Sequence, residues 1–154
     1  MNPMTALKSI KAIENLNFKL QKSKMQNSEE GEGYTDEQVN LAEQEYKRFL
    51  TLLELYPEHA IVPNKLMDIF WHYHILDTQK YHDDCKRVFG GYLHHYPYFG
   101  LRSEQDAIDL EGAFQETLRL YEMTFNEPML KQEKADAAHC KRACVSFCKR
   151  ACKS

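Results

Sequence analysis

Residues 62–91 read VPNKLMDIFWHYHILDTQKYHDDCKRVFGG, and their spacing decides the fold. Asn64, directly after Pro63, is a helix-capping residue, and the apolar run behind it continues to Leu76. Asp77 or Thr78 can cap a second helix, which Gly90-Gly91 ends. Working upstream, Thr35 with Gln38 three residues on has the form of a capping box. Val39, Ala42, Tyr46, Phe49 and Leu53 then make one stripe to Tyr56, where Pro57 stops the helix. Residues 5–25, with Leu7, Ile10, Ile13, Leu16 and Leu20, fit an amphipathic helix, and the polar run 26–33 fits a loop. Downstream, Tyr92 to Arg102 is aromatic and broken by Pro97 and Gly100. Ser103 with Asp106 starts another helix, carried on by Ala107, Leu110, Phe114, Leu118 and Tyr121. No segment alternates with period two. The expected fold is all-α: a compact bundle of about five helices with an aromatic, histidine-rich irregular loop. A helical or flexible C-terminal tail follows it.

The chain has 154 residues, 43% hydrophobic and 12% aromatic, which excludes wholesale disorder and allows a real core. Six Gly and five Pro exclude collagen-like or low-complexity character. The first twenty residues contain no apolar block followed by a small-residue cleavage site, so they do not read as a secretory signal. No stretch approaches the roughly 20 apolar residues of a membrane span. The chain therefore reads as soluble and cytoplasmic, a compartment where clustered Cys serve more as metal ligands or reactive thiols than as disulfides.

The net charge of −3 hides an asymmetry. Lys131 to Ser154 carry seven basic and two acidic residues, or +5, against −8 for the rest. This divides the chain into a body, 1–128, and a basic, Cys-rich tail, 129–154. An acidic body without a stacking pattern argues against nucleic-acid binding, in spite of the tail's Lys and Arg.

Five of the seven His (His72, His74, His82, His94 and His95) and Cys85 fall within 24 residues, just after Asp68. On a helix Asp68 and His72 share a face, a spacing that holds a metal or makes a carboxylate–imidazole pair. His74 lies about 200° round from His72, so the two cannot bind one ion without a break in the helix. His94 or His95, from the following loop, could fold back onto Asp68 and His72. A hydrogen-bonded polar core around Trp71 and Tyr73 fits the same residues. Cys85 shares a face with Tyr81 and Phe89 and reads as a buried small apolar residue.

The run Val62-Pro63-x4-Asp68-x2-Trp71-His72-x-His74-Ile75-Leu76-Asp77-Thr78-x2-Tyr81-x2-Asp84-Cys85 resembles the signature of the glycine-rich domain-containing protein-like family. Phe89-Gly90, His94-His95-x-Pro97 and the upstream Glu45-Tyr46-Lys47-Arg48-Phe49-Leu50 extend the likeness over roughly residues 10–125. The resemblance implies a plant- and bacterial-type protein tied to stress and development, with no established catalytic activity. The glycine-rich region that names the family is absent, and a Cys-rich tail stands in its place.

In that tail Cys140, Cys144, Cys148 and Cys152 form C-x3-C-x3-C-x3-C, and Cys-Lys-Arg-Ala-Cys occurs twice. On a helix the four sulfurs would form one slowly winding stripe. The flanking Lys and Arg lower thiol pKa values and favour thiolate. Four thiolates, with His139 beside them, suit Zn or Cu on softness grounds. Disulfides fit less well, because i,i+4 Cβ atoms on a helix lie about 5–6 Å apart, beyond disulfide reach. The layout also resembles ribosomally made, modified peptide precursors (RiPP precursors), in which an enzyme docks on a leader and modifies Cys in a C-terminal core.

The expectation is thus a non-catalytic helical protein that presents its four tail Cys to a modifying enzyme, one that is itself metal-dependent in one version of this reading, or to a soft metal. A metal site in the body, with Asp68, His72 and His94 or His95, is the alternative. A hydrolase using His72 with Asp68, or Cys85 as nucleophile, comes third, since no nucleophile elbow, phosphate loop or HExxH motif is present.

Overall fold

In a computed structural model that describes residues 2–130, six helices follow one another with no strand among the described residues. Asn2 accepts a hydrogen bond from the Met4 amide, and Pro3 occupies the first turn, where its missing N–H costs nothing; α1 runs Pro3–Glu14. The single helix expected over 5–25 is two, because the chain turns at Asn15–Phe18 and restarts as α2, Lys19–Gln26. Leu16 and Phe18, two positions apart, are both buried, which one straight helix could not achieve together.

α3, Asp36–Leu55, opens with the Thr35/Gln38 capping box, both of whose hydrogen bonds are present. α4, Lys65–Leu76, is capped by the Asn64 side chain on the Met67 amide. Asp77 ends α4 and caps α5, Thr78–Phe89, through the Lys80 amide. Gly90, at φ 70°, gives α5 its left-handed C-cap. α6, Glu104–Phe125, starts at Ser103, whose Oγ accepts from the Asp106 amide, and ends at Asn126 in the left-handed region.

α3 is the axis of the bundle and packs against α1, α2, α4 and α6, while α5 lies against α1 and α4. The main core is dense in rings: Phe18, Tyr46, Phe49, Phe70, Trp71, Tyr81 and Tyr121 are all essentially inaccessible. Burial of each such side chain contributes about 2–3 kcal/mol from apolar area alone. A smaller cluster, Val62, Phe99, Leu110 and Phe114, holds the 92–102 loop against α6. Gly100 is required there, because a Cβ would lie 2.5 Å from the Leu110 side chain and its φ is +87°. No helix of the described residues is long and apolar enough to cross a membrane.

Candidate metal centre

The chemistry of α4 is set by its two faces. Asp68 and His72, four residues apart, line one of them, and His74 turns to the other. The third participant comes from the loop after α5. Trp71 Nε1 donates to Tyr81 Oη at 2.9 Å, and Tyr81 in turn donates to the Leu93 carbonyl. That bond seats Leu93 in the core, 1% exposed. Burial alternates along this stretch: Leu93 is buried, His94 is exposed, and His95 is largely covered again.

His95 therefore lands on α4. Its ring centroid lies 4.3 Å from that of Trp71 and 4.6 Å from that of His72. His95 Nε2 is 2.9 Å from His72 Nε2 and 3.2 Å from Asp68 Oδ1, and His72 Nε2 is 3.7 Å from the same oxygen. Three donor atoms thus form a closed triangle. Its circumscribed circle has a radius of about 1.9 Å, close to the roughly 2.0–2.1 Å at which such donors hold a transition-metal ion. A nitrogen–nitrogen contact of 2.9 Å needs a hydrogen on one partner. An ion entering the triangle must displace that hydrogen from Nε2, and a neutral ring can carry it on Nδ1 instead.

Accessibility is graded across the site. The Asp68 side chain is 3% exposed, that of His95 13% and that of His72 27%, so the carboxylate forms the floor and the imidazoles open outward.

His74 belongs to a separate, closed network. Its Nε2 is 2.9 Å from Asp84 Oδ2 and its Nδ1 is 2.8 Å from Tyr46 Oη. Lys80 Nζ reaches the same Asp84 oxygen at 2.7 Å, and Arg87 pairs with the other. Burial would raise the Asp84 carboxyl, but the hydrogen bonds from His74 and Lys80 overcome it and hold its pKa at about 2. An ionised Asp84 can only accept, so His74 Nε2 carries the hydrogen and Nδ1 accepts from Tyr46. Burial also pushes the His74 pKa down, against the opposing pull of Asp84, which favours the neutral ring.

The other sequence candidates lie elsewhere. His94 is exposed, its ring 4.8 Å from that of Tyr92, and it does not join the triangle. His82 is exposed beside Asp83. Cys85 is 2% exposed in the main core, where its position fits a small apolar residue. Cys140, Cys144, Cys148, Cys152 and His139 lie outside the described residues. Sequence reasoning missed the Tyr46–His74–Asp84 chain, because its members come from three helices with no shared spacing.

The molecule is, in class, an all-helical protein with an Asp/His/His donor triangle between a helix and a loop. The UCP032817-like family profile matches residues 8–134, and the chain belongs to the UCP032817-like family. A search of curated proteins gives no match, and neither does a search of solved structures.

Proposed function

We propose that this chain is a metal-binding protein whose helical body holds one divalent transition-metal ion through Asp68, His72 and His95. One observation carries the reading: three donor atoms of three different side chains lie within 3.7 Å of one another. Two borderline imidazoles beside one hard carboxylate suit Zn2+ and its first-row neighbours better than Mg2+ or Ca2+, which take oxygen. Asp68 is braced by its burial, and His95 by its packing on Trp71, so the donors are held before an ion arrives.

The test is zinc titration of the full chain, with a second version in which Cys140, Cys144, Cys148 and Cys152 are all Ser. That version is expected to bind one ion per chain. His72→Ala and His95→Ala, made in the same background, are expected to lower the affinity by about 100-fold or more. Full affinity in both, or no binding in the parent, overturns the proposal.

A second reading concerns the tail and is supported by the twice-occurring Cys-Lys-Arg-Ala-Cys sequence. In it the body is a folded leader, and the tail Cys are the substrate of a modifying enzyme. Intact mass of the chain from its native host decides this, and an unmodified mass would sink it.

A further inference from the structure

We propose that the outer face of α1 is a docking surface for an anionic lipid membrane. Met4 and Leu7 enter the headgroup layer, and Lys8 and Lys11 pair with lipid phosphates beside them.

The charge of the chain is unevenly placed within its helical body. Residues 1–26 carry five Lys and one acidic residue, Glu14, or +4, while residues 27–130 carry 8 basic and 20 acidic residues, or −12. Of the five lysines, Lys22 pairs with Glu43 and Lys24 with Glu30. Lys8, Lys11 and Lys19 pair with no carboxylate among the described residues. The positive charge of α1 is therefore uncompensated.

The helical repeat gathers that charge with apolar groups. Ser9 and Ile13 are buried and fix the inner side of α1, which packs on α3 and α5. At about 100° per residue, Met4, Leu7, Lys8 and Lys11 fall within about 100° of one another on the opposite side. Met4 is 76% exposed and Leu7 66%, and both lysines are exposed. Each apolar residue has a lysine four positions on, so the four side chains are neighbours. Glu14 stands at the far end of the helix. Beyond the turn α2 repeats the pattern, with Leu20 exposed between Lys19 and Lys24.

This combination selects its partner. In water, Lys8 and Lys11, three apart, repel each other, and Met4 and Leu7 leave apolar area wet. An anionic interface relieves both costs, because phosphates neutralise the lysines while the apolar side chains leave water. The lysine stems lie along apolar surface and hold their ammonium groups at headgroup level. A nucleic acid or an acidic peptide would use the lysines and give Met4 and Leu7 no apolar environment to enter. The orientation is also dictated, since the strongly acidic remainder of the body is repelled by the same surface. α1, with its 12 residues and charged face, is suited to lie in the interface and not to span it.

Cosedimentation of the full, reduced chain with vesicles tests this, using phosphatidylcholine alone and phosphatidylcholine with about 30% phosphatidylglycerol. Binding is expected to the anionic vesicles and not to the neutral ones. The basic segment 131–154 attracts anionic vesicles too, so the decisive variant is one that leaves charge unchanged. Met4→Gln with Leu7→Gln is expected to weaken binding about 10-fold. Lys8→Gln with Lys11→Gln is expected to weaken it about 10-fold or more. Leu76→Gln with Ile108→Gln removes apolar groups that are 67% and 64% exposed elsewhere, and should leave binding within about twofold. All of these positions are on the surface, and matching urea midpoints will show that the fold is kept. No binding to anionic vesicles, or equal binding to neutral ones, overturns the proposal. So does undiminished binding by the Met4/Leu7 variant, which would leave a polyanion contact through lysines alone, as a nucleic acid would make. An equal loss in the Leu76/Ile108 variant overturns it as well, by removing α1 as the docking face.

Discussion

His72 and His74 are two residues apart on one helix, and each sits beside a buried aspartate, yet their surroundings are opposite in kind. Around His74 every valence is taken. Asp84 accepts from His74, Lys80 and Arg87, and the far side of the ring is closed by the Tyr46 hydroxyl. Phe18 packs edge-on against the imidazole, 4.8 Å between centroids, and excludes water. Around His72, Asp68 has only imidazoles as ion-pair partners among the described residues, and the two rings meet through their Nε2 atoms at 2.9 Å. The first network is saturated by fixed cations. Among the described residues no Lys or Arg pairs with Asp68, and a divalent ion would supply what Lys80 and Arg87 supply to Asp84. The difference separates a group that builds the fold from one that can bind.

The largest expected effect breaks the closed side of this comparison. Asp84→Ala leaves Lys80, Arg87 and His74 without their shared acceptor and is expected to cost about 3–5 kcal/mol of unfolding free energy in urea titrations. Asp68→Ala, in metal-free protein, is expected to cost no more than about 1.5 kcal/mol, because its partners are imidazoles that can be neutral. Equal losses in the two variants would erase the distinction drawn here.

The next effect sharpens the open side. With free Zn2+ held at 100 times its dissociation constant, the four-Ser chain should gain about 2.7 kcal/mol in unfolding free energy, by mass action. The same addition to His95→Ala in that background should give no gain. A gain of similar size in both would move the ion away from the triangle.

Much of this was legible in the residues, and the exceptions have physical reasons. The Thr35/Gln38 box, the Asn64 and Ser103 caps and the Gly90 stop are local chemistry, visible in three or four letters, and each stands where the spacing puts it. The all-α architecture follows from them. The break between α1 and α2 was not visible, because the stripe of Ile13, Leu16 and Leu20 keeps helical spacing straight through the turn at Asn15–Phe18. The Asp68–His72 pair needs only the helical repeat. Choosing between His94 and His95 needs the path of an irregular loop, which Tyr81 fixes from another helix through the Leu93 carbonyl. One signal was available: in an extended segment the residue two beyond a buried Leu93 shares its side, and that is His95. Nothing in the spacing connects Tyr46, His74 and Asp84, whose meeting depends on how α3, α4 and α5 pack.

Acid should weaken the closed network. Asp84 has a folded pKa of about 2 against a model value of 3.8, so its ionised form is favoured by folding. The stabilisation, about 2 kcal/mol, is present above pH 3.8 and is lost as the pH falls towards 2. His74 is depressed from 6.5, so the unfolded chain takes up its proton first, and stability declines as the pH drops below that value. Both act in the same direction. Unfolding free energy measured from pH 7 to pH 2 should therefore fall in two stages, and Asp84→Asn should shrink the lower one without removing it, because Arg102 and two backbone amides also hold the Asp106 carboxyl at about 2. A profile that is level over this range would contradict the arrangement of charges around Asp84.

The smallest expected effect isolates one hydrogen bond. Tyr46→Phe keeps the ring that packs on Phe18, Phe49 and Phe70 and removes only the hydroxyl that donates to His74 Nδ1. The buried acceptor left behind makes the change unfavourable, by about 1 kcal/mol in urea titration, without a void large enough to add to it. Because Tyr46 faces His74 and not the triangle, zinc affinity should stay within about twofold of the parent, even though the two histidines share a helix. A loss of affinity larger than the loss of stability would mean that the faces of α4 are coupled. In that case proton occupancy at His74 would be part of the metal site, and the separation of a building histidine from a binding one would fail at its closest point.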